Sequence, residues 1–385
     1  MNTSRKSFVF AFNLESKLYK AIRLYLLISK VFCVTPIDIG EDFLLNWNSW
    51  KILFHILWYI AVYITIATSV YVEYSFFNIS LPNIQKPLFL SEYLVYLIHV
   101  LLIMAVGYKK HSSIPRIIES IVSIDQKLMK FGIKPNYNRL RKFSLIHLLL
   151  LAIYAAISVI LNYYYGRRET IGVLRSLTVY ALPNLIIGFS IMQYYQLMYA
   201  IYLRCQSLVE AMEDFHSKYN LFPFKIIIRS FSILYSTLEI LTKEVNSVLS
   251  YTVLLIYCGS YLNISINIFL IYQNSNQKNE INIVLLMYSI AWVAMHAGKM
   301  FLILYMQKIT LILGNVQPEN VQMELMIRRF LLQLMVNTRS HVVCNIMDLN
   351  LSFVTSLLVN TSVLVIFLIQ YDVTFEALTN THSSA

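Results

Sequence analysis

The feature that most constrains this chain is the recurrence of apolar runs, nearly free of charge, about as long as a bilayer is thick. Crossing roughly 30 Å of hydrocarbon takes about 20 apolar residues at 1.5 Å of rise each. Seven segments qualify: Ile52 to Val72; Leu88 to Tyr108, which contains Glu92; Phe143 to Tyr164; Leu177 to Tyr202; Val248 to Tyr272; Ile283 to Tyr305, which contains Lys299; and Leu351 to Tyr371. Inside lipid a spanning segment must satisfy its own backbone polar groups, so runs of this length are helices. Composition agrees. Charged residues are 13% of the 385 and apolar residues 58%, mean hydropathy is +0.60, and soluble chains run near 25% charged. The predicted class is an all-α membrane protein with seven transmembrane helices, its helices extended into the cytoplasm.

Orientation follows from Lys and Arg, which accumulate in short cytoplasmic loops. With the N-terminus inside, the inner segments hold 24 of the 31 and the outer segments 5. The prediction is therefore N-terminus inside and C-terminus outside. The sequon Asn78-Ile79-Ser80 then falls in the first outer loop, where a glycan could be attached. The net charge of +11 becomes a topological signal, its excess lying beside anionic membrane lipids. Nucleic acid is not needed as a partner. Residues 1–50 form a cytoplasmic N-terminal segment with no cleavable leader, 51–305 a six-helix ligand-binding bundle with cytoplasmic helical extensions, 306–350 a cytoplasmic helical anchor, 351–372 a last helix, and 373–385 a short extracellular tail.

Two inner segments show helical apolar spacing: Ile114, Ile117, Ile118, Ile121, Ile124 and Leu128, and later Leu325, Met326, Phe330, Leu331 and Leu334. The four cysteines lie in spans or inner segments and show no zinc spacing, so neither an outer disulfide nor a metal is expected. His55, His99, His147 and His296 occupy four different spans, and no catalytic motif accompanies them. No enzyme activity and no cofactor are predicted.

The outer halves of the spans carry more amide and aromatic groups than lipid contact requires. Glu92, Asn162, Tyr163, Tyr180, Asn184 and Asn267, turned inward, would line an apolar cup with a few directional hydrogen-bonding groups, as a small organic ligand needs. The alternative is an interfacial aromatic belt. In the last span Ser352, Ser356 and Asn360 recur every four residues, and the same face continues to Val363, Phe367, Gln370 and Tyr371. Repeated around a symmetry axis this face could line a pore narrowed by Phe367, Gln370 and Tyr371, with Asp372 at its mouth. Hydrogen bonding between helices is the competing use.

The run MELMIRRFLLQLMVNTRSHVVCNIMDLNLSFVTSLLVNTSVLVIFLIQYD, Met323 to Asp372, resembles the C-terminal signature of insect gustatory receptors. There the last helix ends in Thr-Tyr, five apolar residues and Gln-Phe. Here Val363-Leu364 stand at the Thr-Tyr positions, Val365 to Ile369 are the apolar five, and Gln370-Tyr371 replace Gln-Phe. Leu332-Gln333-Leu334 and Met347 to Leu351 are similar to the family's Gln-Leu and Leu-Asp-Leu segments. Ile114 to Ile133 resembles its first cytoplasmic loop and Leu26 to Asp38 its leader. The resemblance implies a ligand-gated, non-selective cation channel of the plasma membrane of chemosensory neurons. It further implies a homo- or hetero-tetramer opened by a small-molecule tastant, with the last helix lining the pore and Gln370 in the gate. The glutamate that sugar-sensing members often carry beside the Thr-Tyr pair has no counterpart at Val365, which favours a bitter or other plant compound. A G-protein-coupled seven-helix receptor or a multi-pass transporter stays open as the other reading of seven spans; against the first stand the inner N-terminus and the absence of Asp-Arg-Tyr.

Overall fold

A computed structural model describes residues 2–35, 49–80, 85–109, 113–165, 177–218, 221–276, 283–311, 342–343, 347–348 and 351–383. They form α1 (Asn2–Val31), α2 (Ser49–Ser80), α3 (Gln85–Lys109), α4 (Ser113–Lys130) and α5 (Tyr137–Tyr165), then a wider π-helical turn (Leu177–Ala181) that runs directly into α6 (Leu182–Lys218). There follow α7 (Leu221–Asn276), α8 (Ile283–Leu311), a two-residue antiparallel pair β1 (Val342–Val343) and β2 (Met347–Asp348), and α9 (Leu351–Ser383). Seven of the described helices are long and apolar enough to cross a membrane: α2, α3, α5, α6 with its π-helical turn, α7, α8 and α9. They coincide with the seven predicted spans, and the protein is a multi-pass, all-α membrane protein.

Among the described residues, several segments between the spans are helical, among them α4 and the polar first part of α7. α7 is continuous over 56 residues, so the predicted fifth span and the polar segment before it form one rod. The 373–385 tail is helical to Ser383; no Pro or Gly interrupts it. The second apolar-spaced segment, around Leu325, lies outside the described residues. The first is α4, whose Ile114, Ile117, Ile118, Ile121, Ile124 and Leu128 are all buried against α1, α6 and α7. Each such side chain contributes roughly 1.5–3 kcal/mol. α4 ends where Gly132 takes a left-handed φ of 79° and Ile133 N–H closes on the Leu128 carbonyl at 3.1 Å. α5 then starts on the Asn136 side chain, which accepts the Arg139 N–H at 3.0 Å.

α6 is the central span, with 78% of its most apolar stretch buried, and α9 is the outermost, with 6%. α6 packs on α3, α5, α7 and α8, and α7 packs on α3, α8 and α9. At the end of the bundle that carries α4, Arg204 of α6 grips Asp125 of α4 through two parallel bonds, Nε to Oδ1 at 2.9 Å and Nη2 to Oδ2 at 2.7 Å. Tyr137 of α5 donates to the same carboxylate at 2.8 Å, and Arg204 Nη1 reaches the Ala200 carbonyl at 2.9 Å. The ion pair is buried on both sides, and its fork geometry ties three elements at one point. Two small cavities lie near this end, about 10 and 20 Å³, the second lined by Leu18, Ile22, Leu140, Gln193, Gln196 and Ala200 among others. They hold a water at most and are no site for an organic ligand.

Candidate functional site

Toward the other end, α3, α5, the π-helical turn, α6, α7 and α8 converge on a buried polar and aromatic cluster. Among its charged members are Glu92 and Lys299, both buried and within electrostatic reach of each other. Lys299 of α8 donates to Asn184 Oδ1 on α6 at 2.7 Å, while Asn184 Nδ2 donates to the Tyr180 carbonyl at 2.9 Å. The ammonium also stands 5.3 Å above the Tyr154 ring of α5, where the ring face attracts a cation. Tyr96 donates to Glu92 Oε1 across one turn of α3 at 3.4 Å.

Aromatic side chains wall the cluster. The Tyr93 and Tyr180 hydroxyls share a hydrogen bond of 2.7 Å, Tyr180 lies 6.2 Å from Trp292, and Trp292 stacks on His296 at 5.7 Å. His296 Nδ1 faces Ser260 Oγ at 3.4 Å. Gly259 admits His99: a Cβ there would collide with the imidazole ring, so this glycine lets α3 approach α7. On the same face of α7, Asn263 and Asn267 each donate their amide one turn back, to the Gly259 and Asn263 carbonyls.

Seven buried polar atoms of this region have no protein hydrogen-bond partner: His99 Nε2, Tyr154 Oη, Asn263 Oδ1, Asn267 Oδ1, Ser289 Oγ, Trp292 Nε1 and His296 Nε2. Each would cost about 1–3 kcal/mol if left dry and unpaired. Concentrated between four helices, they are suited to bind a small molecule or the waters it displaces. Among the described residues no group of His, Cys, Asp and Glu is arranged to hold a metal ion.

Of the six residues predicted for the cup, Glu92, Tyr180 and Asn184 are brought together, and Asn267 lies farther along α7 with its carbonyl oxygen unpartnered. Asn162 and Tyr163 lie in α5, but their side chains are outside the described ones, as is that of Asn78 in α2. Sequence reasoning passed over Lys299, His99, His296 and Trp292. The signal was present for Lys299 and for both histidines, since an ionisable residue inside a span marks function by default; the histidines were set aside because no partner stands near them along the chain.

Among the described elements α9 packs chiefly on α7. Tyr261 donates to the Asn360 carbonyl at 3.1 Å, and Gln273 Nε2 lies 3.2 Å from both oxygens of Asp372. Ser356, Asn360, Val363, Phe367, Gln370 and Tyr371 are all exposed; the Ser352 side chain is not among those described. Amides turned out of a single bundle in this way favour a further protein surface over lipid.

A family model described as 7tm chemosensory receptor matches residues 22–375. The chain is 28% identical to the Drosophila melanogaster protein named gustatory receptor 59f, over 94% of this chain and 89% of that one. The structure of the insect olfactory receptor OR5 from Machilis hrabei superimposes with a TM-score of 0.63 at 10% identity, covering 91% of this chain and 99% of that one.

Proposed function

Because this chain belongs to the 7tm chemosensory receptor family, we propose that it is a taste receptor working as a ligand-gated cation channel, opened by a small organic tastant in the Glu92–Asn184–Lys299 cluster. The observation that carries this reading is the convergence of buried, partly unpartnered polar atoms inside an aromatic wall, at a depth where lipid offers nothing to bond. The open face of α9 supports a fourfold assembly in the plasma membrane of a chemosensory neuron, homomeric or with related subunits. In it Phe367, Gln370 and Tyr371 narrow the pore. α7 would join the two, since it carries Asn263 and Asn267 toward the cluster and Gln273 and Tyr261 toward α9. The test is current evoked by plant-derived compounds in cells that express the chain without added G protein. A second-messenger response that needs G protein, with no current, would reject the channel.

The charge bias predicts a cytoplasmic N-terminus, an extracellular C-terminus and a glycan on Asn78. An N-terminal tag should stain only after permeabilisation, and Asn78→Gln should abolish a glycosidase-sensitive mobility shift. Staining of that tag on intact cells would refute the orientation, and with it the receptor reading that differs from the G-protein-coupled one.

At the pore mouth, Asp372 is expected to concentrate cations. Asp372→Asn should lower single-channel conductance mainly at low salt, because charges are screened once the Debye length falls to about 10 Å or less. Gln370→Leu should alter gating or selectivity at every salt concentration. Conductance unaffected by Asp372→Asn at low salt removes Asp372 from the permeation path, and unchanged gating removes Gln370 from the constriction.

A further inference from the structure

α1 and α5 lie side by side on the outside of the bundle, and the two helices carry the same polarity along their exposed faces. Leu18 and Ile22 of α1 and Leu140 of α5 line one cavity, which fixes the register between them. At that level α1 exposes Lys17, Lys20 and Arg23, and α5 exposes Arg141 and Lys142. Arg139 beside them also donates to Gln206 Oε1 at 3.3 Å. One to three turns farther along, the same faces turn apolar: Leu24 and Leu27 are 49% and 53% exposed on α1, and Leu145, Ile146 and Leu149 are 44%, 56% and 61% exposed on α5. The far end of α1 is held against the first span, where Trp58 Nε1 donates to the Val31 carbonyl at 3.0 Å. Trp58 lies near the start of that span, so the far end of α1 stands level with the edge of the apolar layer.

A cluster of cations directly below an exposed apolar strip matches a lipid whose headgroup is polyanionic and whose chains lie alongside the helices. We infer that the α1–α5 seam is a binding site for an anionic phospholipid with a phosphorylated headgroup, such as a phosphoinositide, in the leaflet that faces α4. Assigning that leaflet to the cytoplasmic side rests on the orientation proposed above. The positive-inside bias alone explains that basic residues occur on this side. It does not explain why five exposed ones stand level with each other on two packed helices, next to exposed leucines on both.

The test uses the full-length receptor in uncharged detergent and a fluorescent, short-chain phosphatidylinositol 4-phosphate, so orientation in a membrane plays no part. Binding should be saturable, should exceed that of the phosphatidylcholine analogue, and should weaken as salt rises from about 0.1 to 0.5 M. The triple substitution Lys17→Gln, Lys20→Gln, Arg23→Gln should lower affinity about 100-fold, at roughly five-fold per cation removed. The control Lys127→Gln, Lys130→Gln, Lys134→Gln removes as many exposed charges from α4 and the turn after it, and should leave affinity within about two-fold. Equal losses in the two triples would mean undirected charge attraction and overturn the site. So would salt-independent binding by the unmodified protein, a measurement that stands even if a variant fails to fold. Binding of free inositol phosphate as tight as that of the lipid would also overturn it, because the apolar strip would then contribute nothing.

Discussion

Replacing Arg204 by Met is expected to destabilise the folded receptor by about 3–5 kcal/mol, because the Asp125 carboxylate would be left buried without its cation. That carboxylate is fully buried and accepts both arms of the guanidinium as well as the Tyr137 hydroxyl. Removing both charges together, Asp125→Leu with Arg204→Met, should recover most of the loss, since the double variant strands no ion and buries apolar groups of similar volume. Thermal unfolding of the purified protein in detergent reads both effects. The Lys243–Glu239 pair, one turn apart on α7 and exposed at the lysine, is the internal comparison; Lys243→Gln should change stability by about 0.5 kcal/mol or less. A double variant no more stable than Arg204→Met alone would show that the loss does not come from a stranded Asp125 carboxylate.

The second large effect is expected at Asn184, whose carbonyl oxygen takes the Lys299 ammonium and whose amide holds the Tyr180 carbonyl. Asn184→Leu removes a charge-assisted bond worth about 1.5–3 kcal/mol and leaves the ammonium stranded beside the aromatic wall. If the ligand is held by this cluster, the agonist concentration for half-maximal current should rise about 10- to 100-fold, at ten-fold per 1.4 kcal/mol. Adding Lys299→Met together with Glu92→Gln should restore surface expression, because neither position then leaves an unpaired buried charge, without restoring the response. Recovery of the full response in the triple variant, or an unchanged dose–response curve in Asn184→Leu, would place the ligand elsewhere.

What the sequence determined by itself is what depends on local periodicity and on the membrane as solvent. Seven apolar runs sufficed for seven helices, because a backbone in hydrocarbon has no other means of satisfying its polar groups. The isoleucines of α4 announced their buried face for the equivalent reason in water, since a 3.6-residue period has one solution. The face of α9 that carries Asn360, Phe367 and Gln370 was visible because one helix contains all of it. The continuity of α7 was hidden, because polar residues before its span read equally well as loop or as helix outside the membrane.

The cluster was only half visible for a different reason. Asn184 and Tyr180 stood out as polar groups in an apolar setting, but nothing along the chain brings Lys299 to Asn184, 115 residues away, or sets His99 against the bare face of Gly259. The same holds for Asp125 and Arg204, 79 residues apart, each of which reads alone as an ordinary solvated charge. Such pairings depend on which helices become neighbours and on their rotation about their own axes. These are set by packing summed over the whole bundle, with α6 at its centre, and only the tertiary structure decides them.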